Sequence, residues 1–155
     1  MESKPFRILA VAGSLRQGSF NQGLLRAAQE VAPEWVEVQF FDLSQLPFFN
    51  QDVEATGDPE PVRRFKNAIA TSNAVLIATP EYNGVVPGVL GRIGAVVAPD
   101  PQLLVPRASR LFDEQVDLHD EGTHEETCQL VEAVAHWCRR VQPEEPVSTQ
   151  SVTAL

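Results

Sequence analysis

Hydrophobic residues along this chain form three short clusters, separated by longer segments in which they recur at helical spacing. The clusters, which predict buried strands, are segments 6–12, 36–43 and 74–79. The segments with apolar residues every three to four positions, which predict amphipathic helices, are 21–31, 61–72 and 124–141. Strands that alternate with such helices predict an α/β fold with a parallel sheet and right-handed crossovers.

The remaining segments predict loops and one weak strand. Segment 44–60 is rich in Pro, Asp, Asn and Gly, which is typical of a long surface loop. Segment 89–93 is little over a helical turn, and segment 95–98 predicts a weak fourth strand. Segment 142–155 shows little periodicity, so we expect one domain over residues 1–141 followed by a disordered tail.

Two helices have a predicted orientation on the sheet. In the first, apolar positions around Leu25 and Ala28 face the core, while Arg26 faces outward with Gln29 and Glu30. In the last helix the residues predicted to face the core are Leu130, Val134, Trp137 and Val141.

Composition narrows the partners that we expect. The chain has 155 residues and a formal net charge of −9, which disfavours nucleic acid and anionic membranes as partners. No apolar run approaches the roughly 20 residues of a membrane span, and the N-terminus lacks the layout of a signal peptide. Cys128 and Cys138 are too far apart on one helix to form a disulfide. We therefore expect a cytoplasmic protein.

The loop after the first strand, GSLRQGSFN at 13–21, carries candidate phosphate ligands. Gly13 permits a close turn, Ser14 and Ser19 offer hydroxyl donors, and the planar fork of Arg16 suits phosphate oxygens. The motif is neither GxxxxGK[ST] nor GxGxxG, which disfavours a nucleotide-hydrolysing P-loop and a dinucleotide fingerprint. The alternative is an ordinary strand-to-helix turn whose serines cap the following helix.

A second loop, PEYNGVVPG at 80–88, follows the third strand. In a flavodoxin-like order the first and third strands are neighbours, so both loops would border one crevice at the carboxyl edge of the sheet. The second loop, with Tyr82, Asn83, Gly84 and its backbone N–H groups, suits a flat polar ring. A phosphate and a ring together suggest a mononucleotide.

With these motifs the sequence resembles the NADPH-dependent FMN reductase family, which includes azo-, quinone- and chromate-reducing flavoproteins. The resemblance lies in segments 13–21, 79–88 and 103–114 (LLVPRASRLFDE) and in their order. It implies a flavodoxin-like three-layer sandwich that binds FMN non-covalently. The residues that it places at the FMN phosphate are Ser14, Arg16, Ser19 and Asn21. Those that it places beside the ribityl chain and ring are Pro80, Glu81, Tyr82, Asn83 and Gly84.

The resemblance also implies a reaction. Hydride passes from NADPH through FMN to a small acceptor, which is a flavin, quinone, azo compound or metal oxyanion. Because the flavin carries the chemistry, no catalytic side chain is assigned. We expect a homodimer or homotetramer, as is usual in the family.

The chain departs from the family pattern after Leu90. The sequence there continues with a segment similar to the family's fifth strand, so one strand, most of two helices and a third flavin loop are absent. We expect a parallel sheet shortened to about four strands, in the order 2-1-3-4, with thin helical cover. One alternative is a non-catalytic truncated remnant that binds flavin weakly or not at all. Another is a phosphosugar- or nucleotide-binding α/β protein that uses the first loop for a different ligand.

Two further constellations have competing interpretations. His124, Cys128, Glu132 and His136 recur every four residues on the last helix, but a polar helix face is favoured over a metal site because nothing elsewhere completes it. Arg107 and Arg110 stand near an acidic run at 113–121, and ion pairing with that run is favoured over contact with a phosphate of NADPH.

Overall fold

The chain forms an α/β structure around a parallel sheet. The structure, a computed structural model, describes residues 5–48, 50–80 and 102–141. Its strands are β1 (Phe6–Ala12), β2 (Val36–Phe41) and β3 (Ala74–Ala78). Both neighbours pair in parallel with β1, giving the order β2-β1-β3. This order confirms the predicted flavodoxin-like, parallel α/β class.

Four helices accompany the described strands. They are α1 (Phe20–Glu30), α2 (Gln51–Thr56), α3 (Glu60–Ala70) and α4 (Glu121–Val141). The bounds of α1 and α3 lie within two residues of the predicted ones, which is the usual uncertainty of a helix end. The predicted fourth strand at 95–98, the segment 89–93, the junction after Leu90 and the tail 142–155 lie outside the described residues.

The main core lies between one face of the sheet and the helices α1 and α4. Its buried residues include Ile8 and Ala10 of β1, Leu25 of α1, and Val131 and Ala135 of α4. Alternate residues of a strand point to opposite faces, so Leu9 lies on the other side, where it is also buried. Burial on both faces explains why residues 8–11 of β1 form a continuous apolar run.

Helix α3 covers part of the opposite face of the sheet. The rings of Phe41 at the end of β2 and Phe65 of α3 lie 4.7 Å apart. The cover is incomplete at the β3 side, where Val75 is 42% exposed and Ile69 of α3 is 41% exposed. Val62, Phe65 and Ala68 of α3 are half-buried, whereas Ile69 is exposed.

Two predictions about the helices were wrong in detail. The loop predicted over 44–60 contains α2, because the side chain of Asn50 accepts a hydrogen bond from the backbone N–H of Asp52 and starts the helix. Helix α4 begins three residues before the predicted start at position 124. There the carboxylate of Asp120 accepts hydrogen bonds from both the backbone N–H and the hydroxyl of Thr123.

The buried stripe of α4 is also rotated from the predicted one. The buried residues of α4 are Thr123, Thr127, Val131, Ala135 and Cys138. Val134 and Trp137 pack at the margin of the core instead, and Leu130 is half-buried. Small residues occupy the centre of the stripe because α4 packs closely on α1 and the sheet, whereas the larger residues fit at its margins.

Candidate functional site

The ends of β1 and β3 meet at the carboxyl edge of the sheet. The backbone N–H of Gly13 donates to the carbonyl oxygen of Ala78 at 2.7 Å. A Cβ atom at Gly13 would lie 3.2 Å from Oγ1 of Thr79, so a glycine allows this close approach. The first predicted loop therefore begins directly beside the point where the second one leaves the sheet.

Helix α1 begins at this edge, and Ser19 is its N-cap residue. The Ser19 carbonyl accepts hydrogen bonds from the backbone N–H groups of Gln22 and Gly23, which starts the helix. The Ser19 side chain makes no capping hydrogen bond, although the residue is only 5% exposed. The hydroxyl of Ser19 has no partner among the described residues. Ser19 is therefore the N-cap residue by its backbone only, and its side chain does not cap the helix as the alternative interpretation requires.

The other predicted ligands of the first loop lie around the same helix end. The Ser14 carbonyl accepts a hydrogen bond from Nε2 of Gln22 at 3.4 Å, which folds the loop back on the helix. Arg16 is exposed at the tip of the loop, and Asn21 is half-buried in the first helical turn. A helix N-terminus, a hydroxyl and a guanidinium together form a fitting environment for a phosphate dianion.

Only the first residue of the second predicted loop lies in the described part of the chain. Pro80 is half-buried and follows Thr79 at the end of β3. Glu81, Tyr82, Asn83 and Gly84 lie outside the described residues, so their places beside the first loop stay predictions.

A packed loop that the sequence analysis missed supports the beginning of α1. The ring of Phe20, next to Ser19, lies 5.2 Å from the ring of Phe112. Gly23 provides the space, since a Cβ atom there would lie 2.2 Å from the carbonyl oxygen of Val116. The signal available in the sequence was a glycine inside a helix, which usually has a packing reason.

Arg26 holds the same loop, contrary to its predicted outward orientation. Its Nη2 donates to the carbonyl of Val116 at 2.7 Å and lies 3.0 Å from Oδ1 of Asp117. The predicted ion pairs of Arg107 and Arg110 with the acidic run are not found among the described residues. Asp117 of that run pairs with Arg26 of α1 instead.

Two residues of the polar stripe of α4 contact backbone carbonyl groups of neighbouring segments. The carbonyl of Leu118 lies 2.8 Å from Nε2 of His124, and the thiol of Cys128 donates to the carbonyl of Val31. Burial raises the pKa of the Cys128 thiol, with the carboxylates of Glu132 and Glu125 adding to the effect. Within the described residues no cluster of three or more His, Cys, Asp or Glu side chains could hold a metal.

None of the helices in the described residues is long and apolar enough to cross a membrane.

Comparison with known proteins identifies the family. The family model described as NADPH-dependent FMN reductase matches residues 6–108, more than half of the chain. The chain belongs to this family. The predicted family is therefore confirmed. The match also confirms two further predictions, the class of reaction, which is that of an NADPH-dependent oxidoreductase, and the cofactor FMN. The family match also favours FMN over a phosphosugar as the ligand of this protein.

Individual relatives of this FMN reductase family member differ in how much of their own length aligns with it. An NAD(P)H-dependent FMN reductase of Pseudomonas aeruginosa is 29% identical over 183 aligned positions, which cover 90% of this chain and 99% of the relative. A quinone reductase of Pseudomonas putida is 42% identical over 88 residues, 57% of this chain and 47% of the relative. The chain thus spans about half the length of the quinone reductase.

A solved structure supports the fold assignment. The flavoenzyme NAD(P)H:(acceptor) oxidoreductase FerB from Paracoccus denitrificans superposes with a TM-score of 0.69 at 25% identity. The match covers 86% of this chain and 97% of FerB.

Proposed function

We propose that this protein is an FMN-dependent oxidoreductase that holds the FMN phosphate at the beginning of α1. The observation that carries the proposal is the hydrogen bond from Gly13 to Ala78, which brings the ends of β1 and β3 to one edge of the sheet. In open α/β sheets this edge, next to a change in strand order, is where ligands bind. The FMN reductase family match at residues 6–108 supports the same ligand.

Three groups of this chain would hold the phosphate. The backbone N–H groups in the first turn of α1 present partial positive charge, and the hydroxyl of Ser19 has no partner among the described residues. Arg16 adds a full positive charge from the loop. Ser14 and Asn21 border the same space. Pro80, Glu81, Tyr82, Asn83 and Gly84 are proposed to flank the ribityl chain and the ring.

The proposed reaction takes hydride from NADPH and delivers electrons to a small acceptor. Bound FMN supplies the hydride chemistry, so the role of the chain is to bind, orient and exclude water. The quinone reductase of Pseudomonas putida makes a quinone our first candidate acceptor, ahead of a flavin, an azo compound or a metal oxyanion.

We also propose that the protein acts in the cytoplasm as a homodimer or homotetramer. The free cysteines Cys128 and Cys138 suit a reducing compartment. Phe48 is 99% exposed, and exposed aromatic side chains are common at subunit contacts.

A second candidate function is that of a truncated remnant with weak or no flavin binding. The alignment with the Pseudomonas aeruginosa reductase has 183 positions but uses 90% of a 155-residue chain, or about 140 residues. About 40 positions therefore lack a residue of this chain, which supports a missing internal segment. Val75 and Ile69 on the partly covered face of the sheet are consistent with lost helical cover.

Absorbance and FMN titration separate the two candidates. We expect purified protein to be yellow, or apo-protein to bind FMN with a sub-micromolar Kd and to oxidise NADPH with a quinone. Arg16→Gln should weaken FMN binding by about tenfold to a hundredfold, the usual loss for a charge-assisted hydrogen bond. Arg63→Gln on the exposed side of α3 is the matched control and should bind FMN like the wild type. Colourless protein that stays inactive with added FMN and NADPH would establish the remnant instead.

A further inference from the structure

A cavity lies between the segment 104–111 and helix α4. Its volume is about 530 Å³, within the usual range of small-molecule sites. The residues that line it are Leu104, Val105, Pro106, Arg107, Arg110, Leu111, Thr123 and Glu126. The cavity therefore combines an apolar surface with two cationic side chains.

Local backbone geometry brings the two arginines to the same cavity. Residues Ala108–Arg110 form a 3₁₀ turn, in which the backbone N–H of Arg110 donates to the carbonyl of Arg107 at 2.9 Å. Side chains three positions apart in such a turn lie above one another. Arg107 begins the turn with φ 54° and ψ 42°, a left-handed conformation that costs a residue with a side chain about 1–2 kcal/mol. Backbone strain of this kind is often found at ligand-binding positions.

The nearby acidic residues do not neutralise these arginines. Asp117 pairs with Arg26, and the carboxylate of Asp113 accepts hydrogen bonds from the backbone N–H groups of Gln115 and Asp117. Neither Arg107 nor Arg110 has an ion pair within the described residues. Glu126 is the acidic residue among those that line the cavity, so the two guanidinium groups outnumber it.

We propose that Arg107 and Arg110 bind the 2′-phosphate of NADPH in this cavity. The proposal rests on the proposed function, which requires NADPH as the hydride donor. Two planar guanidinium groups can each make a bidentate contact with a phosphate monoester, and NADH lacks that group. Leu104 and Leu111 offer apolar surface to an adenine ring, and Glu126 offers an acceptor for an amine or hydroxyl of the nucleoside.

The chain connects this cavity to the proposed FMN site. Phe112 lies two residues after Arg110 and contacts Phe20, which adjoins Ser19 at the beginning of α1. Residues 110–112 thus connect the arginine-containing turn to the beginning of α1. In an acidic protein with a net charge of −9, a local pair of arginines also offsets the general repulsion of a polyanionic dinucleotide.

Binding of adenosine 2′-monophosphate to the intact apo-protein tests the proposal without relying on FMN or on turnover. Isothermal titration would compare wild type with Arg107→Gln, Arg110→Gln and the control Arg63→Gln on α3. We expect about tenfold weaker binding for each of the first two variants and no change for the third, in line with the loss of one charge-assisted contact. In the same experiment NADPH should bind wild type at least tenfold more tightly than NADH.

Two further measurements identify the site and the ligand. Arg16→Gln should not weaken binding of adenosine 2′-monophosphate; if it does, and Arg107→Gln does not, the ligand occupies the first loop and the proposal is wrong. Inorganic phosphate should bind at least tenfold more weakly than adenosine 2′-monophosphate. If both bind with equal affinity, the cavity is a general anion site that does not recognise the nucleoside, and the proposal is wrong. Protein that fails to bind FMN but still shows the arginine-dependent binding would contradict the proposed function alone.

Discussion

Replacing Gly23 by alanine adds one methyl group where the loop at 112–118 crosses α1. The new Cβ atom would lie 2.2 Å from the carbonyl oxygen of Val116 and 2.8 Å from Cε1 of Phe112. Non-bonded carbon atoms normally stay about 3.5–4.0 Å apart. A backbone carbonyl cannot rotate away as a side chain can, so Val116 must move by about 1 Å or more.

The cost of this movement follows from what the loop holds in place. The displacement stretches the 2.7 Å hydrogen bond from Arg26 to Val116 and opens the buried cluster of Ala27, Phe112 and Leu118. Overpacking costs about 1–3 kcal/mol, and losing much of the burial of Phe112, now 6% exposed, costs up to about 3 kcal/mol more. Alanine regains about 1 kcal/mol as the better helix former. We expect a net loss of about 2–4 kcal/mol in the free energy of unfolding.

Urea unfolding followed by circular dichroism measures this loss, with Gly122→Ala as the matched control. Gly122 is also a helical glycine, but a Cβ atom there would lie 3.5 Å from its nearest neighbour, Oδ2 of Asp120, an ordinary contact. The control variant should therefore be unchanged or more stable by up to about 1 kcal/mol. For Gly23→Ala the Tm should fall by roughly 5–15 °C.

The outcome that would refute this reasoning is a Gly23→Ala variant within about 0.5 kcal/mol of wild type, the range of ordinary surface substitutions. Hydrogen exchange adds a local test. The backbone N–H of His119, which donates to the carbonyl of Leu111, should exchange faster in the variant, while that of Gly13 at the sheet edge should not. If the backbone N–H of His119 exchanges equally slowly in the variant and in the wild type, the loop at 112–118 does not move and the reasoning is wrong.

Three other predictions concern the core, the helix cap and the thiols. Leu25→Ala, at a residue 2% exposed between α1 and the sheet, should lower the free energy of unfolding by about 2–5 kcal/mol in urea titrations, and a loss below 1 kcal/mol would contradict its place in the core. Hydrogen bonds from the Thr123 hydroxyl and N–H lower the pKa of Asp120 from its ordinary 3.8, so its ionised form stabilises α4 at neutral pH. Asp120→Ala should therefore lower the Tm at pH 7. The difference in Tm from wild type should shrink as the pH falls through the lowered pKa of Asp120. A difference that stays the same at low pH would contradict the proposed capping role. Because burial raises the pKa of Cys128, its thiol should react with a disulfide reagent at pH 8 more slowly than free cysteine, and an equal rate would contradict the burial.

The sequence by itself determined the elements whose signal is local. The continuous apolar run at 8–11 predicted β1, whose observed bounds are those expected, and helical periodicity located α1 and α3 to within two residues. Alternation of strands and helices then predicted a parallel sheet with right-handed crossovers, whereas the order of the strands was expected from the flavodoxin-like pattern. The residue types of the loop at 13–21 predicted a phosphate site but left an ordinary strand-to-helix turn as an alternative, and it was the second loop and the family resemblance that favoured the phosphate.

Tertiary structure decided the features that depend on residues far apart in sequence. Arg26 reaches a carbonyl 90 positions away, so a helical pattern could only assign it to the polar side. The rotation of α4 toward Val131 and Ala135 depends on how closely the helix approaches α1, which periodicity does not report. The cavity that Arg107 and Arg110 share with Glu126 of α4 exists only after the turn has packed against that helix. Local sequence sets where an element begins and ends, whereas its neighbours decide which side chains are left free to bind a ligand.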